Sequence, residues 1–288
     1  MTPPRTAFVL GGGGVLGAVE VGMIRALVER EVRPDLVLGT SVGALNGAVL
    51  AADPGPGVVD RLEGLWEAAA QGGEMYADGA VRQVRRAVRT GTHLYSSGPL
   101  RRRLLEELGD RTFADLAIPF QCCASSIERS AEHWFTDGRV VDAVMASAAV
   151  PGLFPPAQVD GEHYLDGGIV NSVPLGRAVE LGATEVYVLQ VGRLDRPLST
   201  PRRPWEVARV SFEIARRHRF VRELAALPEG VRAHVLPTGN DADDARVDSV
   251  TAFRDFRQVR SRMRAAHDAS AAYLDGLAED TGDRPGAG

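Results

Sequence analysis

The sequence predicts an α/β protein with a mostly parallel central sheet and helices on both faces. Three observations carry this. Two strand, glycine-turn, helix units follow one another at the start of the chain, the first over residues 6–30 and the second from Leu36 into a small-residue helix. Residues 120–125 and 185–191 are further apolar runs, as suits strands buried on both sides. Strands and helices alternate as far as residue 191, the pattern of crossover connections in a parallel sheet.

In the first unit, Thr6-Ala7-Phe8-Val9-Leu10 reads as a buried strand and Gly11-Gly12-Gly13-Gly14 as a tight loop. A helix over 15–30 follows, with Leu16, Val19, Met23, Ala26 and Leu27 on one face. Such a loop leaves backbone amides free at a helix N-terminus, which suits an anion. The second unit breaks at Gly39-Thr40-Ser41-Val42-Gly43. A serine between strand and helix, with glycine two residues before and two after, is the sharp turn that lifts a hydroxyl above a sheet. A side chain at Gly39 or Gly43 would crowd that turn. The pentapeptide alone also arises by chance in a chain with 32 glycines. Beside an anion-binding loop it gains meaning, because a nucleophile facing an oxyanion hole is the pairing that acyl transfer needs.

The competing reading is a dinucleotide fold, since Gly12, Gly14 and Gly17 spell Gly-x-Gly-x-x-Gly after the first strand. That fingerprint needs an acidic residue at the far end of the second strand, against the ribose. Here the strand runs into Gly39-Thr40-Ser41, and Asp35 lies at its wrong end. No cofactor is expected.

At 288 residues and 44% hydrophobic, the chain can bury one large core with a helical appendage. It contains no lysine, so all of its 33 Lys-or-Arg positions are arginine, and its net charge is −5. Nothing marks it for secretion or for spanning a membrane, which predicts a soluble, cytoplasmic protein. Nothing points to nucleic acid. Cys122 and Cys123 are adjacent on a predicted strand, where side chains alternate between faces, so neither a disulfide nor a metal site is expected.

A Pro/Gly break at 53–57 precedes a helix over 58–70. Between Gly79 and Arg103 lie Arg82, Arg85, Arg86, Arg89, Arg101, Arg102 and Arg103 with no acidic residue, a +7 stretch that leaves the rest of the chain at −12. Val81, Val84 and Val88 interleave at helical spacing. This reads either as a solvated helix face or as a cap making peripheral contact with an anionic membrane surface. Residues 132–135 read as a hairpin partner of the 120–125 strand, and 141–147 as a small helix. Asp166 closes a strand just before Gly167-Gly168, where an acid can project above the sheet edge; a plain turn aspartate is the other reading. A helix over 172–181, the 185–191 strand, a helix over 205–227, an extended 232–236 and a long helix over 251–277 complete the pattern. Residues 241–248 form an acidic loop between the last two. These features divide the chain into a core over 5–191, a Pro-rich loop over 192–204, a helical C-terminal extension over 205–279 that completes the domain, and a disordered tail over 280–288.

Four blocks, Gly12-Gly13-Gly14-Val15-Leu16-Gly17, Gly39-Thr40-Ser41-Val42-Gly43, Ser147-Ala148-Ala149-Val150-Pro151-Gly152-Leu153-Phe154-Pro155-Pro156 and Asp166-Gly167-Gly168, resemble those of patatin-like phospholipases in order and spacing. The resemblance implies a patatin-like three-layer sandwich over about residues 5–191. It also implies a Ser41 nucleophile, Asp166 as its partner in a Ser-Asp dyad, an oxyanion hole from the amides of Gly12, Gly13 and Gly14, and hydrolysis of lipid acyl esters. One position departs from the family pattern: Leu16 stands where Arg or Lys is usual. The amide donors survive that change, but a cation beside the hole is missing, so neutral or short esters are expected to be preferred over anionic phospholipids.

A dyad is also what the order of residues suggests. A triad would need a histidine after Asp166. His218 lies among arginines, His234 in a predicted strand and His267 in mid-helix, so none sits in an obvious loop. Asp166 would then take the serine proton itself, which an aspartate near its reference pKa of ~3.9 does poorly; partial burial would have to raise its basicity. The alternative is a hydrolase-derived lipid-binding or regulatory protein that has lost activity. Intact Ser41, Asp166 and glycine loops favour the enzyme. The oligomeric state is left open.

Overall fold

The structure is a computed structural model that describes residues 5–72, 92–191, 197–239 and 258–282. Arg82, Arg85, Arg86 and Arg89, the 241–248 loop, residues 192–196 of the Pro-rich loop, the start of the last predicted helix and residues 283–288 lie outside the described residues.

An eight-stranded sheet organises the chain. The strands are β1 Thr6–Leu10, β2 Leu36–Thr40, β3 Phe120–Ser126, β4 Ala131–Phe135, β5 Ala157–Val159, β6 Glu162–Asp166, β7 Glu185–Leu189 and β8 Arg232–Val235. They stand in the order β5-β6-β3-β2-β1-β7-β8, with β4 paired to β3. From β3 to β8 every pairing is parallel, whereas β4 and β6 run antiparallel to β3, and β5 antiparallel to β6. One flank is therefore antiparallel, built from hairpins too short for a crossover.

The described helices are α1 Ala18–Glu29, α2 Val42–Ala52, α3 Val58–Gly72, α4 Gly98–Leu108, α5 Val140–Ser147, α6 Gly168–Asn171, α7 Leu175–Glu180, α8 Pro204–Ala225 and α9 Val259–Gly282. A 3-10 turn, Gly14–Gly17, leads into α1. The helix predicted over 172–181 begins only at Leu175, as α7, and the short α6 ends before it at Asn171. Pro174 explains the gap, because a proline offers no N–H and drives the residue before it out of helical geometry. At the other end, α9 runs to Gly282, so residues 280–282 are helical and not part of a disordered tail.

Strand residues alternate between two apolar layers, as the period of two requires. Phe8, Leu10 and Val37 face a large core shared with α1 to α5 and α9. Ala7, Val9, Leu36, Leu38, Val186 and Val188 face a second core under Leu175 and Ala178 of α7 and Phe220 of α8. The sheet is thus sandwiched between two helical layers. The last helix belongs to the first layer, where Arg30 forks onto Asp275 (2.8 and 2.7 Å) and His267 reaches Glu29 (2.7 Å). Gly22 lets the α9 backbone approach, since a Cβ there would fall 2.1 Å from the Met263 carbonyl oxygen. Among the described residues, no helix is long and apolar enough to cross a membrane.

This contact decides the sign of a substitution. Alanine in an exposed helix interior stabilises by about 1 kcal/mol over glycine. Gly64→Ala on α3, with nothing within 4 Å of the added carbon, should raise the melting temperature slightly. Gly22→Ala should lower it by several degrees in the same thermal-melting experiment.

Candidate active site

Strand β3 acts as the template for the site. Along one edge it pairs Cys123 with Thr40, the last residue of β2, and the next residue, Ala124, with Asp166, the last residue of β6. β2 runs parallel to β3 and β6 antiparallel, so their C-terminal ends meet head-on against a single neighbour. The residue after Thr40 is Ser41. Its hydroxyl donates a 2.6 Å hydrogen bond to Asp166 Oδ2.

Ser41 turns the chain from β2 into α2 with φ 55° and ψ −119°. A non-glycine residue held there costs on the order of 1–3 kcal/mol, which its surroundings must offset. Its N–H donates to Ser147 Oγ (2.8 Å), and that hydroxyl donates in turn to the Cys123 carbonyl (2.6 Å). Its carbonyl accepts from the Ala44 N–H (3.0 Å), the first bond of α2. The flanking glycines are needed for space: a Cβ on Gly39 would lie 2.5 Å from the Gly43 carbonyl oxygen, and one on Gly43 2.3 Å from that of Leu10.

Asp166 is 5% exposed. Its Oδ1 accepts the Gly168 N–H (2.7 Å), its own N–H donates to the Ala149 carbonyl (2.9 Å), and its carbonyl accepts the Ser125 hydroxyl (2.8 Å). Burial pushes its pKa up to about 6, against the opposing effect of the bonds from Ser41 and Gly168. Beneath it, Thr40 Oγ1 donates to the Asn171 carbonyl (2.8 Å), and Arg219 of α8 donates to that of Val170 (2.8 Å), which fixes α6. Among the described residues, no histidine bonds to Ser41 or Asp166. His218 is exposed on α8, His234 pairs with Glu185, and His267 pairs with Glu29 and Asp268 (2.9 Å).

The glycine loop lies across from the serine, but its amides are not equivalent. Gly11 N–H donates to the Leu189 carbonyl and Gly12 N–H to the Ser172 carbonyl, both at 2.9 Å. Gly12 is therefore committed to holding the loop, which corrects its expected place among the oxyanion donors. Gly13 and Gly14 are the remaining candidates. Behind the loop, Glu20 is fully buried among α1, α2 and α3. Its Oε2 accepts from Asn46 Nδ2 (2.7 Å), which also donates to the Gly17 carbonyl (3.0 Å), while Trp66 Nε1 donates to Asn46 Oδ1 (3.0 Å). Burial raises the Glu20 carboxyl well above the ordinary range, against the opposing effect of the bond from Asn46.

Ser41 opens into a cleft of about 820 Å³, its mouth included, walled by Val42, Leu45 and Val49 of α2, Leu65 and Trp66 of α3, Leu100 and Leu104 of α4, and Phe154. The wall is almost wholly apolar.

A family model described as patatin-like phospholipase matches residues 8–179, which takes in the glycine loop, the serine turn and Asp166. The chain belongs to this family. Among patatin-like relatives, the lysophospholipase nte1 of Aspergillus terreus is 32% identical over 188 residues, 65% of this chain. Patatin-like phospholipase domain-containing protein 7 of Mus musculus is 30% identical over 200 residues, 68% of this chain. The chain spans only 12% and 14% of those relatives' own lengths. Of the solved structures, VipD from Legionella pneumophila is similar at 14% identity with a TM-score of 0.45, over 95% of this chain and 67% of that one.

Leu16, the departure from the patatin-like pattern, is 7% exposed and packs in the main core, outside the cleft lining. Three residues escaped the sequence reading of the site. Glu20 lay within an apolar helix face, and the roles of Ser147 and the Ser172 carbonyl depend on contacts more than a hundred residues away.

The raised pKa of Asp166 has a stability consequence. A carboxyl whose folded pKa exceeds its unfolded value favours folding most below about pH 4, and that contribution is lost as pH rises through about 6. The shift of about two units corresponds to roughly 3 kcal/mol. Asp166→Asn should therefore gain several degrees in melting temperature relative to wild type between about pH 4.5 and about pH 7.5. Melts of both proteins across this range check it.

Proposed function

We propose that the chain is a serine-dependent acyl-ester hydrolase of lipids that uses Ser41 and Asp166 as a catalytic dyad. The observation that carries this reading is the 2.6 Å bond from the Ser41 hydroxyl to a buried carboxylate whose pKa is raised to about 6. At neutral pH such a carboxylate is ionised yet more basic than an exposed one, the balance that general-base catalysis wants. Ser41 Oγ gives its proton to Asp166 Oδ2 and attacks the ester carbonyl carbon. The oxyanion that forms is held by the amides of Gly13 and Gly14, where the loop meets the N-terminal end of a helix. Collapse breaks the ester C–O bond, and Asp166 returns the proton to the leaving alkoxide. A water then gives its proton to Asp166, attacks the acyl-serine and releases the fatty acid as Ser41 recovers its hydrogen. The apolar cleft takes the acyl chain. Membership in the patatin-like family and the lysophospholipase relatives support the lipid class of substrate.

Ser41→Ala should abolish both labelling by a fluorophosphonate and hydrolysis of medium-chain esters, with folding intact by melting temperature. Asp166→Asn should lower turnover by a factor on the order of 10² to 10⁴. His218→Gln, His234→Gln and His267→Gln should each stay within about threefold of wild type. A histidine variant as inactive as Asp166→Asn would replace the dyad with a triad.

A further inference from the structure

Three consecutive arginines on α4 meet different fates. Arg101 pairs with Asp142 of α5 at 2.6 Å, and Arg102 is exposed. Arg103, half-buried, lines the same cleft as Ser41. It lies one residue before Leu104 and three after Leu100, on the α4 face that supplies the apolar wall. The carboxylate that would neutralise it, Glu107 one turn on, is held instead by Arg61, whose Nε lies 2.7 Å from it, and Arg61 is itself anchored on Asp53 at 2.8 Å. Among the described residues, Arg103 has no hydrogen-bond or ion-pair partner. A guanidinium left unpaired at the edge of an apolar cleft keeps its stem on the hydrocarbon wall and its head toward whatever anion enters.

We propose that Arg103 is a specificity-determining residue that binds the phosphate of a single-chain acyl ester whose ester group lies at Ser41. This rests on the hydrolase reading above and deepens it. Among the described residues the charged groups lining the cleft are Arg103 and the Arg61-bound Glu107, so with the acyl chain on the apolar wall an anionic group on the alcohol side of the ester is the one that Arg103 can meet. It also reverses the preference for neutral esters expected from Leu16: that side chain is in the core, and the cleft draws its cation from α4.

The test is binding of octyl phosphate and octan-1-ol, below their aggregation concentrations, to the Ser41→Ala protein by calorimetry. Binding is read without turnover, so this inference and the hydrolase reading can fail separately. Octyl phosphate should bind at least about tenfold tighter than octanol, with an advantage that shrinks as salt rises. Arg103→Gln should reduce the advantage to within about threefold, Arg103→Lys should retain part of it, and Arg102→Gln should leave it intact. Inorganic phosphate should bind far more weakly than octyl phosphate; equal affinity would make this a free-phosphate site and overturn the proposal. Equal binding of the two octyl ligands, or equal losses in Arg102→Gln and Arg103→Gln, would also overturn it. Should Arg103→Gln not fold, the Arg103→Lys loss and the salt dependence decide.

Discussion

The head-on meeting of β2 and β6 along one edge of β3 is the constraint from which the rest of the site follows. Because Thr40 pairs with Cys123 and Asp166 with Ala124, two strands of opposite direction end one residue apart. A one-residue slip in either would turn its side chains to the other face of the sheet. The antiparallel flank is thus more than an ornament on a parallel sheet. A parallel strand at that place would bring its N-terminal end, and no acid, to the serine.

The surrounding polar groups hold this register. Ser147 bridges the elbow amide to the Cys123 carbonyl, on the residue that pairs with Thr40, so elbow and template strand are tied by one hydroxyl. Thr40 ties the same point to α6, and Gly168 of α6 supplies the amide on Asp166 Oδ1. Each link satisfies a buried polar atom and fixes an atom of the proposed dyad. The same burial that demands these partners raises the carboxyl's basicity, so order and reactivity have one cause.

What the sequence made legible were features encoded within a few residues. The glycine spacing around Ser41, the four-glycine loop and the Asp-Gly-Gly turn each signal a backbone shape that few other residues permit, and each was readable alone. Groups whose role depends on a distant partner were not. That the Gly12 amide is spent on Ser172 is a fact of tertiary contact, and no local pattern distinguishes Gly12 from Gly13. Arg103 was hidden for a related reason: in a run of three arginines only the helix phase and the Arg61–Glu107 pair separate the one that faces the cleft. The late start of the helix predicted over 172–181, by contrast, is signalled locally by Pro174.

The central claim is that Asp166 is a buried base, made basic by desolvation and moderated by the Ser41 hydroxyl. Carbon-13 NMR titration of its carboxyl, assigned by the resonance missing in Asp166→Asn, tests this most directly. The account predicts a midpoint of about 6 in wild type and a higher one in Ser41→Ala, since the serine bond lowers the value. A midpoint near the ordinary carboxylate range of about 4, or one that does not move when the serine hydroxyl is removed, would contradict it.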